Sequence, residues 1–223
     1  NGGIMVKGKE IIKFSLILFI FICNFSFCEN MVLGINLNGV SDWSSEFPFT
    51  DMMKMSRRWI THNADGTGSW DTDYFSKIPL DENLYPRKIP FDPDGQGPIP
   101  PQIVRTVWDN HYLPIGDYTL ICEGTGKIRF WGSANNTFNI NGGGKFTLQV
   151  TKKELLSMEI EESKEGDNLR NIKLIMPDCS EKEIFNPKFI ESIKMFKVIR
   201  FMDWGQTNNS DLSQWEERPK IND

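Results

Sequence analysis

Lys145-Phe146-Thr147-Leu148-Gln149-Val150 alternates without a break: Phe146, Leu148 and Val150 fall on one side, Lys145, Thr147 and Gln149 on the other. Successive side chains on a strand point to opposite faces, so the run reads as an antiparallel strand with one dry and one wet face. Leu156, Met158 and Ile160 repeat the period against Ser157, Glu159 and Glu161. Working outward, Tyr118 to Glu123 reads as a strand, Gly124-Thr125-Gly126 as a tight hairpin connection, and Lys127 to Trp131 as the return strand. Asn171 to Met176 supplies another. Short strands at close spacing with Gly-rich turns predict a mainly β fold, an antiparallel β-sandwich of jelly-roll type.

Upstream, residues 29–117 are turn-rich, with Asn63-Ala64-Asp65-Gly66-Thr67-Gly68 and Asp92-Pro93-Asp94-Gly95 separating short apolar pieces such as Val104-Arg105-Thr106-Val107-Trp108. Short strands joined by long loops are expected there. Downstream of Pro177 the character changes. Asn186-Pro187 opens a helix in which Phe189, Ile190, Ile193 and Phe196 keep helical spacing. Lys197 to Met202 then reads as a buried strand ended by Asp203-Trp204-Gly205. A helix followed by a single apolar strand looks like an α/β unit that the sequence does not complete, because one strand cannot bury both faces alone.

At the other end, Asn1-Gly2-Gly3-Ile4 resemble upstream read-through before Met5. Lys7, Lys9 and Lys13 then precede the apolar run Phe14 to Ile22, the pattern of a signal peptide. The run is too short to span a bilayer. Ser26-Phe27-Cys28 suits the cleavage site, which divides the chain into a signal (1–28), a β-sandwich domain (29–180) and the start of a second domain (181–223). The expected location is secreted, extracellular or periplasmic, with no stable membrane span after cleavage.

The formal charge of the 223 residues is -5, which opposes nucleic-acid binding. The 4 Cys include Cys122 and Cys179 beyond the signal; export permits a disulfide between them, and a buried free thiol at Cys122 is the other reading.

Several blocks in order resemble bacterial secreted cellulose-binding or glycoside-hydrolase-like proteins: Phe47-Pro48-Phe49-Thr50-Asp51, Ser56-Arg57-Arg58-Trp59, Gly68-Ser69-Trp70-Asp71, Gly116-Asp117-Tyr118, Phe185-Asn186-Pro187-Lys188-Phe189, and Arg200-Phe201-Met202-Asp203-Trp204 with Thr207-Asn208-Asn209-Ser210. The resemblance implies a β-sandwich followed by a (β/α)8 barrel, here incomplete after one barrel strand. The implied partners are a polysaccharide or oligosaccharide and the missing C-terminal barrel. Barrel enzymes place site residues at the C-terminal ends of strands, which makes Asp203 and Trp204 candidates, with Arg200, Asn208 and Asn209 beside them. Glycoside cleavage needs two carboxyl groups. No complete pair is present, so no catalytic residue is assigned.

Aromatic faces suit sugars, whose C–H faces are apolar. Trp131 shares a strand face with Arg129 and leads the stacking candidates; Trp70, in a Gly-rich loop, follows. Glu159 and Glu161 read as a solvated face. Without a His-x-x-x-His or Cys-x-x-Cys spacing, a phosphate loop or a Gly-x-Ser-x-Gly elbow, no cofactor or metal is expected. The sequence therefore supports two functions: the non-catalytic front of a polysaccharide-acting hydrolase-like protein, or a stand-alone carbohydrate-binding, structural or adhesion module.

Overall fold

A computed structural model describes residues 32–202 together with Trp204 and Gln214. The expected signal peptide, cleavage site and most of the polar tail lie outside the described residues. The strands are β1 (Gly34–Leu37), β2 (Ile60–Asn63), β3 (Gln102–Trp108), β4 (Gly116–Glu123), β5 (Gly126–Gly132), β6 (Asn136–Ile140), β7 (Gly143–Val150), β8 (Leu156–Ser163), β9 (Arg170–Ile175) and β10 (Val198–Phe201). The helix α1 spans Pro187–Ile193.

The fold is mainly β. One sheet has the order β2-β3-β8-β5-β6, the other β7-β4-β9, and every pairing within them is antiparallel. The dry faces meet in one core. Val104, Trp108, Ile128, Phe130, Met158 and Ile160 come from the larger sheet, and Tyr118, Leu120, Leu148, Val150, Ile172 and Leu174 from the smaller. Phe138 contacts Phe130 at 6.1 Å and Phe146 at 5.5 Å, joining the two layers at one edge. Trp108, fully buried, gives its indole N–H to Met52 O at 2.7 Å, so the largest core ring leaves no donor unsatisfied.

The expected β4–β5 hairpin is not formed. β4 pairs with β7 and β9, β5 with β6 and β8, so Gly124-Thr125 carries the chain from one sheet to the other. Gly124 has φ +86, and a Cβ there would collide with Asn168 O. Thr125 N–H bonds instead to Asp167 O at 2.8 Å. Tight Gly-rich connections serve hairpins and inter-sheet corners equally; here the two flanking strands bury their apolar sides in the same core from opposite layers, which selects the corner.

The helix starts as expected. Asn186 is its N-cap, with the side-chain oxygen accepting from Lys188 N–H at 2.9 Å, and Pro187 occupies the first turn, where its missing N–H costs nothing. Phe189 is the residue α1 buries.

Two expectations about β10 are corrected. It is not alone, because β1 pairs with it in parallel, Gly34 opposite Val198 and Leu37 opposite Phe201. Nor is it buried, since Val198 is 57 % and Phe201 54 % exposed. Parallel strands need a long crossover, and here that crossover is the sandwich itself. Trp204 holds the assembly together: its ring lies 5.1 Å from Phe201, 5.8 Å from Phe49 and 6.2 Å from Phe189, and its N–H reaches Asn38 O at 2.6 Å. Cys122 and Cys179 are both free thiols, so the disulfide reading is set aside. Burial pushes the Cys122 thiol up to about 11.

Candidate functional site

The outer face of the five-stranded sheet is where the sequence and structure diverge most. Directly paired residues share a face, so the rung Ile60–Arg105–Glu159–Arg129–Thr137 crosses all five strands on the side away from the core. Such a rung is expected to be solvated. Instead Glu159 is completely buried and Ser157 with it. The reason is the loop after β2. Thr72 N–H bonds to Thr61 O at 2.9 Å, tying the loop back along the sheet edge, and Trp70 folds over Arg105 with the guanidinium 4.4 Å from its ring centre. Alternation in sequence distinguishes the two faces but does not reveal what covers them.

Glu159 is the hub. Its Oε1 accepts from Arg105 Nε at 2.8 Å and from the Trp131 indole N–H at 2.8 Å. Its Oε2 accepts from Arg129 Nε at 3.0 Å and pairs with Nη2 at 2.9 Å. His62 Nε2 lies 2.9 Å from Arg105 Nη2 and 3.3 Å from Glu159 Oε1. That nitrogen accepts from the guanidinium when it carries no proton and donates to the carboxylate when it carries one. Burial pushes the Glu159 carboxyl up; its contacts with His62, Trp131 and Arg105 outweigh this and hold it at about 2. A carboxylate that stays ionised at neutral pH, with both oxygens already bonded, has no proton to donate and no free lone pair for attack. Glu159 therefore acts as a fixed acceptor that positions the side chains around it.

What it positions is an aromatic pair. Trp70 and Trp131 lie 6.2 Å apart with their planes at 86°, edge to face. Arg105 fills the angle between them, 4.4 Å from one ring and 5.4 Å from the other. Trp131 is half-buried, its orientation fixed by the bond to Glu159, and Trp70 is 47 % exposed.

Two residues further along the same strands, Ile103, Lys127 and Glu161 line a groove of 620 Å³ together with Ile89, Pro90, Thr125 and Ser163. Lys127 Nζ meets Glu161 Oε2 at 2.7 Å, and Glu161 Oε1 lies 3.4 Å from Arg129 Nε, so groove and aromatic pair share one charged network. The volume is that of a small-ligand site.

The structure thus brings together two of the residues singled out in sequence, Trp70 and Trp131, and does not unite them with Arg200 or Trp204. Arg200 is exposed on β10. Trp204 sits in the aromatic cluster with Phe49, Phe189 and Phe201. Asp203, Asn208 and Asn209 lie outside the described residues. Arg105 and His62 were not anticipated. The available signal was a charged residue, Arg105, inside the β-branched run Ile103 to Val107. Asp92 and Asp94 use their carboxylates to accept backbone N–H groups of their own loop, and no group of His, Cys, Asp or Glu suited to a metal exists among the described residues. No helix among those residues is long and apolar enough to cross a membrane.

No family model, curated protein or solved structure matches this chain.

Proposed function

We propose that the outer face of the five-stranded sheet binds carbohydrate, and that the chain is the N-terminal, non-catalytic portion of a secreted glycoside-hydrolase-like protein. The observation that carries the binding reading is the Trp70–Trp131 pair, fixed through Glu159 and Arg105 beside a groove of 620 Å³ lined by hydrogen-bonding side chains. Sugars present an apolar C–H face ringed by hydroxyls, so they need an aromatic surface next to convergent donors and acceptors. Trp70 supplies the surface; Lys127 and Glu161 supply the polar edge.

The hydrolase-like context is supported by the parallel β1–β10 pair next to α1, which has the form of the opening of an α/β unit, with exposed Val198 and Phe201 suited to further packing. The polysaccharide and a barrel completing that unit are the partners this reading names. A stand-alone binding or adhesion module is the second reading, and the self-contained core of the sandwich favours it.

The test is retention of the full chain on immobilised glycans and binding to an oligosaccharide array, with Trp70→Ala as the control. Retention lost in the variant supports the proposal; absence of binding to any glycan overturns it.

A further inference from the structure

Resting on the carbohydrate reading above, we infer that this face takes a single solvated glycan chain and not the flat face of a crystalline polysaccharide. A crystal face is planar and rigid. It is gripped by rings that lie in one plane and project to one level, because each ring must stack on a sugar of the same sheet of chains. Here the planes of Trp70 and Trp131 stand at 86°, so stacking a flat surface on one ring turns the edge of the other toward it. Neither ring is free to swing into line. The Trp131 N–H is bonded to buried Glu159, and one face of Trp70 is covered by Arg105, itself bonded to the same carboxylate.

The groove makes the complementary argument. It is a concave site, lined by Ile89, Pro90, Thr125 and Lys164 together with Lys127 and Glu161. Its charged groups, Lys127 and Glu161, line a hollow that a flat rigid surface does not follow. A separate chain turns its hydroxyls to such walls and one pyranose face to Trp70. In a crystal those hydroxyls are already bonded to neighbouring chains. The geometry assigns one stacking position, at the exposed face of Trp70, followed by a hydrogen-bonding stretch over Glu161 and Lys127.

The experiment titrates the full chain with soluble cellohexaose, xylohexaose and mannohexaose by calorimetry, screens a soluble oligosaccharide array, and measures depletion by microcrystalline cellulose. Trp70→Ala removes the stacking face. Trp131→Phe keeps a ring in place while removing its N–H. A far-ultraviolet spectrum and melting curve confirm that each variant is folded. Expected are binding to at least one soluble chain, a roughly tenfold loss in Trp70→Ala, and no depletion by the microcrystalline solid. Depletion by the solid that Trp70→Ala abolishes overturns this inference while the carbohydrate reading stands. Soluble binding unchanged in folded Trp70→Ala also overturns it, placing the site elsewhere. Absence of binding to every soluble chain and to the solid overturns both.

Discussion

Replacing Glu159 by Gln removes one charge and almost no volume, and the structure sets the size of the effect. The carboxyl is held at about 2, against 4.5 for an unperturbed glutamate. That difference corresponds to about 3 kcal/mol of stability contributed by the ionised form. Breaking a buried ion pair by deleting one partner costs about 3–5 kcal/mol, which brackets the same figure. The sign follows from proton binding. Between pH 4.5 and 2 the unfolded chain holds a proton here that the folded chain does not, so the stabilisation is complete above 4.5 and lost as the pH falls toward 2. Urea unfolding of the wild type and Glu159→Gln should therefore differ by about 3 kcal/mol at pH 7, with the melting temperature lower by roughly 6–12 °C for a chain of this size. The difference should shrink steadily in acid and nearly close near pH 2. A difference below about 1 kcal/mol at pH 7, or one independent of pH, refutes the view that Glu159 is an ionised hub.

Three further outcomes are expected. Trp131→Phe should destabilise by about 1.5–3 kcal/mol in chemical unfolding at pH 7, since it removes a hydrogen bond to a charged acceptor; combined with Glu159→Gln the losses should be less than additive, as for two members of one network. Cys122 should resist iodoacetamide in the native protein and react in denaturant, as mapped by peptide mass, because burial keeps it a thiol up to about 11. Gly124→Ala should lower the melting temperature by several degrees, since Ala must adopt a positive φ and its methyl meets Asn168 O.

Strands β7 and β8 were legible because Lys145–Val150 and Leu156–Glu161 alternate without interruption, and the helix because Asn186-Pro187 is a start signal with a mechanism. The β4–β5 corner was not, because Gly124-Thr125-Gly126 fixes how sharply the chain turns and not which layer receives it. β1 escaped because Gly34–Leu37 is short and pairs with residues at the far end of the chain. Trp70 and Trp131 were each recognisable as stacking candidates. Their contact depends on a loop folding over a sheet, which local pattern does not encode. Glu159 was misjudged for the same reason: its polarity is visible in the sequence, its cover is not.

The β1–β10 pairing bears on the order of assembly. A two-stranded sheet has little stability of its own. Closing it before the intervening chain is compact would carry a large entropy cost with few contacts in return. The sandwich must therefore condense first and, in doing so, deliver Leu33 and Lys197 to bonding distance, where the Lys197 N–H meets Leu33 O at 2.8 Å. That pair works as a late-closing clasp: its amide protons would exchange early, ahead of those in the core strands, and its closure reports that everything between the two strands has already folded.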